Sequence, residues 1–278
     1  MPHEAIRWDL SASGVLTLTI NRPDTKNAID TAGQRLLSRM LQDAARHPLV
    51  KVLVLTGEGG AFCTGADVRS MGAPDPGDAM AAEFGQTDAW LSPESRVDRL
   101  KQLTLTSSAL LHTMGKPTIA KLRGPAAGLG FSLALACDFR LAADNAFLLS
   151  SFSKIGTSGD YGGSYFLTQL VGPSRAKEIY MFSERIPAQE GAAVGLFNRV
   201  VPDAELDALT DAFALKLAKG PTLAHRYIKE NIHAATTQPL EAAIDIEARN
   251  MIRCRLSADC GEALQAFQQK REPTFNGH

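Results

Sequence analysis

Two glycine-flanked segments of this chain can place backbone amides around a carbonyl oxygen. The first is Ala61-Phe62-Cys63-Thr64-Gly65-Ala66-Asp67-Val68. It follows the apolar run Val50 to Thr56, which reads as a strand. The second is Gly124-Pro125-Ala126-Ala127-Gly128-Leu129-Gly130, which leads straight into the apolar, alanine-rich stretch Phe131 to Asp138. A helix that starts at such a turn leaves N–H groups without helical partners at the positive end of its dipole. Aimed at a carbonyl oxygen, such donors form an oxyanion hole. Read alone, the second segment is equally a tight turn before a buried helix. The first segment, a second small turn after a strand, brings the chemical reading forward.

Other chemistries find less support. Gly128-Leu129-Gly130 lacks the third glycine of a dinucleotide fingerprint, since Leu133 stands three residues on. Cys63, Cys137, Cys254 and Cys260 form no Cys-x-x-Cys pair and do not cluster with histidines at zinc-like spacing. They read as structural thiols, and no metal is expected. His112, beside Leu110 and Leu111, reads as a packing or surface residue. The formal net charge is −1 over 278 residues, so no broad basic field points to nucleic acid. Residues 1–20 carry no long apolar run after a basic start, and no apolar stretch approaches the ~20 residues that span a bilayer. No membrane partner is expected, and a cytoplasmic location is the default.

The elements that must hold these turns alternate. Val15 to Ile20 and Val50 to Leu55 read as strands. Between them Asp30 can cap a helix whose apolar positions are Leu36, Leu37, Met40, Leu41 and Ala44, ending near Pro48. A helix is predicted from about Val97 to Met114, then strands at Ile119 to Leu122, Phe139 to Ala142 and Ala146 to Leu149. Residues 72–95 are rich in Gly, Pro, Asp and Ser, with Met80, Phe84 and Trp90 interspersed. They read either as a lid over a bound ligand or as a surface insertion. After Pro202 the chain turns helical, with Asp203 a predicted cap for a helix through Leu217. Further helices are expected near 221–233, 239–254 and 257–270. Residues 1–200 are taken as the core and 201–278 as a helical extension of the same unit.

The two glycine turns, in this order and spacing, resemble the signature of the crotonase (enoyl-CoA hydratase/isomerase) superfamily. Asn21-Arg22-Pro23 and Asn27-Ala28 near the start, and Phe267 to Arg271 near the end, extend the resemblance over nearly the whole chain. It implies an α/β fold, a spiral of ββα repeats with a helical C-terminal trimerisation region. It implies an acyl-CoA thioester as substrate, with coenzyme A present as part of that substrate and no separate cofactor. By position, the amides that would hold the thioester oxygen belong to Ala66 and Leu129, beside Gly65 and Gly128.

Hydratases of the family use two glutamates. The corresponding positions here are Ser132 and Phe152. Hydration needs a positioned acid/base, so the resemblance implies a departure from the two-glutamate mechanism. Asp160, eight residues after Phe152, resembles the aspartate position of dienoyl-CoA isomerases, a ring-epoxide isomerase and 4-chlorobenzoyl-CoA dehalogenase. It lies between Gly159 and Gly162-Gly163, where backbone can approach a ligand closely. It reads either as a proton shuttle or as a helix N-cap. Phe131 and Phe152 can desolvate it and raise its pKa. Leu105 and Phe152 stand near the histidine and tryptophan positions of the dehalogenase, which disfavours that reaction. Phe131, Phe152, Tyr161 and Tyr165 can line an apolar pocket or simply pack the core.

For coenzyme A the resemblance implies Lys26 and Ala28 near the phosphates, Ala66 and Asp67 near adenine and pantetheine, and Phe267 with Lys270 reaching a neighbouring subunit's ligand. Lys26 is otherwise a surface lysine, and the last pair otherwise an amphipathic terminal helix. Asp67 is itself anionic, which argues against direct phosphate contact. Leu240, Ile244, Ile246, Met251, Ile252, Leu256 and Leu264 give the C-terminal third more apolar surface than one subdomain hides. A homotrimer, or a dimer of trimers, is the expected assembly. The expected activity is isomerisation of an enoyl- or dienoyl-CoA with Asp160 as proton shuttle. The alternatives are an atypical hydratase or acyl-CoA hydrolase, and a non-catalytic acyl-CoA-binding or RNA-associated protein.

Overall fold

A computed structural model describes residues 5–67, 69 and 92–277. The predicted lid falls mostly on residues 72–91, which lie outside the described residues. Its last residues, from Ser92, instead open a helix.

Strands β1 (Ile6–Leu10), β2 (Val15–Ile20), β3 (Val52–Gly57), β4 (Thr118–Leu122), β6 (Phe139–Ala143) and β9 (Arg199–Val201) form one sheet in the order β1-β2-β3-β4-β6-β9. Only the β1–β2 pair is antiparallel; the rest run parallel. Parallel strands need crossover connections and covered faces, and this sheet has both. Val52 and Val54 turn one way, with Ile119, Leu141 and Ala143. Leu53 and Leu55 turn the other, with Ala120, Leu122 and Ala142. The two-residue period therefore feeds two separate cores.

A second, smaller sheet joins β5 (Pro125–Ala127), β7 (Phe147–Leu149) and β8 (Ile186–Pro187). It explains the spiral. Each turn of the chain gives a strand to the large sheet, a short extended piece to the second layer, and then a helix. Thus β4, β5 and α4 (Leu129–Ala136) make one turn. β6, β7 and α5 (Gly163–Phe182) make the next. Earlier turns contribute only single bridges to the second layer, Ile29 to Ala66 and Cys63 to Ala126. Of the bridge residues, Cys63, Ala66 and Ala126 sit in the two glycine-flanked segments.

The first helix, α1 (Thr31–Arg46), starts where the sequence places it: the Asp30 carboxylate accepts from the Gly33 N–H at 2.8 Å. Leu37, Leu41 and Ala44 are its buried face. The single helix expected from Val97 to Met114 is two, α2 (Pro93–Thr106) and α3 (Ser108–Thr113). Ser107 breaks it with φ −126° and ψ −90°, and its hydroxyl bonds back to the Leu103 carbonyl. Serine competes with the helix in this way. The α5 helix is likewise interrupted, at Gly172 (φ 75°) before Pro173.

Asp203 does not cap the next long helix. It opens a short 3-10 turn, and its carboxylate accepts from Arg123 Nε at 2.8 Å. The helix itself, α7 (Leu206–Lys219), follows the six-residue α6 (Ala188–Ala193) and covers the outer face of the large sheet with Leu206, Ala214 and Ala218. The chain ends in α8 (Thr222–Thr237), α9 (Leu240–Arg255) and α10 (Ala258–Gln269). Among the described residues no helix is long and apolar enough to cross a membrane.

Candidate active site

The two glycine turns meet. Cys63 N–H donates to the Pro125 carbonyl at 3.3 Å, and Ala127 N–H to the Cys63 carbonyl at 2.9 Å. Gly65 has φ 114° and Gly128 has φ 52°, both in the region that suits glycine. They also touch: a methyl on Gly128 would lie 3.7 Å from Gly65 Cα, and one on Gly65 would lie 3.8 Å from the Leu129 nitrogen. Gly130 is needed for room, because a methyl there would sit 2.1 Å from the Cys63 carbonyl oxygen.

This arrangement decides which amides remain available. On the first turn the Ile29 and Asp67 N–H groups join the bridge. The Ala66 N–H donates to no described carbonyl. On the second turn the Ala127 and Gly128 N–H groups are used, Gly128 donating to Leu149 at 3.1 Å. Leu129 is the first residue of α4, where no intrahelical acceptor exists, and its N–H also finds no described partner. The two residues that the family resemblance names as amide donors both carry unused N–H groups on these touching turns, as do Gly65, Gly130 and Phe131.

Asp160 lies beside them. Its chain approaches α4 through Ser132, whose hydroxyl donates to the Asp160 carbonyl at 3.0 Å. Ser132 is fully buried. The N-cap reading of Asp160 is overturned. The α5 helix begins at Gly163, with Gly162 (φ 71°) at its cap and no side-chain cap bond. Tyr161 takes a positive φ of 50° and points its hydroxyl to Gln34 Oε1 at 2.8 Å. Asp160 Oδ1 is instead buried with no hydrogen-bond partner. Burial pushes the carboxyl up to about 6, because desolvation disfavours the charged form.

The wall includes the two phenylalanines, both buried. Each contacts Tyr180 rather than the other: Phe152 stacks on it at 5.8 Å and 5°, and Phe131 meets it edge-on at 6.0 Å and 78°. Tyr165, read from the sequence as either pocket lining or core packing, packs elsewhere, against His112 and Phe166. Tyr180 gave no signal in the sequence, since it follows Asp160 by twenty positions and lies beyond the break at Gly172.

The N-terminal loop closes the site's flank. Asn27 is buried at φ 60° and donates to the Glu58 and Ala61 carbonyls at 2.9 and 2.7 Å. Arg22 Nη1 donates to the Ala28 carbonyl at 2.8 Å and Nη2 reaches Asp67 Oδ2 at 3.3 Å. Arg69 holds the same carboxylate through Nε at 2.9 Å and Nη2 at 2.8 Å. Those bonds hold the Asp67 carboxyl down to about 2, so it is an anion already matched by cations. Lys26 is exposed on this loop. Phe267 is 84% exposed near the end of α10, and Lys270 is exposed just past it.

Burial pushes the Cys63 and Cys137 thiols up to about 12, leaving both protonated and poor nucleophiles. No group of three or more potential metal-ligating side chains occurs among the described residues. A separate cavity of about 400 Å³, lined in part by Leu135, Phe166, Leu170, Ile228 and Ile232, contains none of the site residues predicted from the sequence.

Residues 11–278 match the family described as enoyl-CoA hydratase/isomerase. A probable enoyl-CoA hydratase of Rhodobacter capsulatus is 35% identical over 277 residues, covering 100% of both chains. The 1,2-epoxyphenylacetyl-CoA isomerase of Escherichia coli is 32% identical over 95% of each chain. Among solved structures, an enoyl-CoA hydratase from Bacillus anthracis superposes with a TM-score of 0.87 at 29% identity, over 99% of this chain and 100% of that one.

Proposed function

Since the chain belongs to the enoyl-CoA hydratase/isomerase family, we propose that it isomerises an enoyl- or dienoyl-CoA through a thioester enolate. The observation that carries this reading is the Asp160 carboxylate, half-buried, with one oxygen unpartnered and a raised pKa, on a loop tied to α4 through Ser132, one turn on from the unused Leu129 amide. In the reading, Ala66 and Leu129 N–H groups hold the thioester oxygen as negative charge develops on it. Removing one such donor typically costs ~10²–10³ in rate. Asp160 takes a proton from one carbon of the enoyl system and returns it to another, so no other reactant is consumed. A carboxyl near pH 6 is better matched to this task than an ordinary one. Ser132 already donates its proton to a carbonyl, and Phe152 carries none. The two-glutamate route therefore has no residues to run it.

Coenzyme A is assigned to the flank of the site, with Lys26 and Ala28 toward its phosphates and the backbone of Ala66 and Asp67 toward its adenine and pantetheine. Phe267 and Lys270 are assigned to a neighbouring subunit's ligand. Their exposure, with that of Leu240, Leu256 and Leu264, supports a trimer or a dimer of trimers. A second reading, hydration with one water held by Asp160 alone, is favoured by the name of the Rhodobacter relative.

The test is a set of 2-enoyl-, 3-enoyl- and dienoyl-CoA thioesters incubated in deuterated water and read by mass spectrometry. Deuterium at the α or γ carbon without added water mass is the expected result. Crotonyl-CoA hydration should be ~10³-fold or more below that of a competent acid/base pair. Rapid hydration that survives Asp160→Asn would overturn both the residue and the reaction.

A further inference from the structure

Two buried polar atoms lie against the site without a partner: Asp160 Oδ1 and the Tyr180 hydroxyl. One is an acceptor and the other a donor. Leaving such a group unmet forfeits the hydrogen bonds it made to water. Two complementary groups left unmet in one place call for a shared explanation.

Tyr180 stands in the second half of α5, its ring held between Phe152 and Phe131. The residues around Asp160 are shaped to receive it. A methyl on Gly159 would lie 2.9 Å from Tyr180 Cε1, and a methyl on Gly163 would lie 2.6 Å from the hydroxyl oxygen. The glycines thus let the Asp160 loop lie directly on the phenol. Ser132 Oγ is the other polar atom at this spot, 2.3 Å from the same Gly163 methyl position. Its proton goes to the Asp160 carbonyl; its oxygen lies near enough to the phenol to lower the Tyr180 pKa against burial, without a well-formed hydrogen bond.

We infer that Tyr180 is a positioning residue for Asp160: a turn of the carboxylate brings Oδ1 onto the phenolic proton and fixes Oδ2 toward the substrate. The inference rests on the reading of Asp160 as the proton shuttle. The titratable groups that face this carboxylate are Tyr161 from its own loop, Tyr180 from α5 and Cys63 from the first glycine turn, and its charge raises the pKa of each. All three are neutral near pH 7. Among the described residues no cation accounts for the state of Asp160; burial alone does.

The experiment is a pH titration of the ligand-free, full-length protein labelled with ¹³Cγ-aspartate and read by NMR, the Asp160 signal being the one lost in Asp160→Asn. A hydrogen bond to the charged form lowers a carboxyl pKa. Tyr180→Phe should therefore raise the Asp160 midpoint by about one pH unit, a tenfold change in proton affinity. Ser132→Ala should leave it in place. Replacing Tyr180 by 3-fluorotyrosine keeps the ring and makes a stronger donor, so the midpoint should fall; this covers the case in which the phenylalanine variant folds poorly. An unchanged or lowered midpoint in Tyr180→Phe overturns the inference, since water admitted by a loosened wall lowers the value. A shift in Ser132→Ala of equal size overturns it too. No substrate is needed. Failure here leaves the proposed isomerisation standing, and failure to turn over any enoyl-CoA leaves this titration readable.

Discussion

Phe62, Phe131, Leu53 and Leu111 are wholly enclosed in the part of the chain that carries the site. Leu240, Met251, Leu256, Leu264 and Phe267, on or beside α9 and α10, stand in the open, Leu256 at 83% exposure. The helices at the end are as regular as those of the core, so secondary structure does not separate the two regions. Burial does. The core closes on itself because each turn of the spiral lays strand, short strand and helix over the previous turn. The terminal helices pack on one another and still leave an apolar face open. The site therefore draws its rigidity from the core, while the terminal region keeps an open apolar surface, on which the proposed assembly rests. Met181 and Phe182, at the end of α5, are also exposed, so the open apolar surface is not confined to the terminal helices.

The strongest way to separate the two regions is at Asp160. Asp160→Asn should lower proton exchange by about 10³-fold while leaving the assembly intact by light scattering. It should also stabilise the protein above pH 7. The folded-state value, about 6, lies above the unfolded value of about 3.9. The native state therefore binds the proton more tightly, and its advantage is lost as pH rises through 6. At pH 8 the charged, buried carboxylate costs about 2–3 kcal/mol. Denaturation of the two proteins at pH 8 and pH 4 should show that difference vanish at the lower pH.

The seam between the regions comes next. Lys229, on α8, ion-pairs with Asp138 at 2.8 Å and also donates to the Leu111 carbonyl at 2.9 Å. Asp138 is held up by burial against this lysine's pull. Lys229→Met leaves that carboxylate without its cation and should cost about 3–5 kcal/mol by denaturant titration. A loss below 1 kcal/mol would mean that the terminal helices are held by apolar contact alone.

Gly130→Ala tests the core's own precision. The added methyl meets the Cys63 carbonyl at 2.1 Å, and the turns must part. A loss of about 1–3 kcal/mol together with a fall in proton exchange is expected. Stability loss without any fall in exchange would show that the spacing of the two turns is not what holds the enolate.

The smallest effect on the isolated chain is expected from Leu256→Glu with Phe267→Ser. Both side chains are open to solvent, so chain stability should change by about 0.5 kcal/mol or less. The assembly mass should fall, and with it affinity for coenzyme A if Phe267 and Lys270 serve a neighbour's site. An unchanged mass would place the interface elsewhere, with Met181 and Phe182 the next surface to test.

What the sequence determined by itself follows from local rules. Asp30 and the 3–4 spacing of Leu37, Leu41 and Ala44 define α1, because a cap and an apolar stripe act within a few residues. The β-branched runs define β2 and β3. The glycines of both turns were legible as turns, and the Ala66 and Leu129 positions followed from the family resemblance. Tertiary structure decided the rest. Ser107 splits a helix that periodicity runs straight through, since its bond to Leu103 competes with the helical ladder. Asp203 and Asp160 both look like caps, but one is taken by Arg123, and the other stands before a helix that Gly162 caps without any side-chain bond. Which amides stay free depends on Ile29, Cys63 and Leu149, which arrive from other turns of the spiral. Tyr180 joins the site through its ring contacts with Phe152 and Phe131, from beyond the break at Gly172. These outcomes rest on pairings between residues far apart in the chain, and a hydrogen-bonding group has no fixed partner until the fold brings its candidates together.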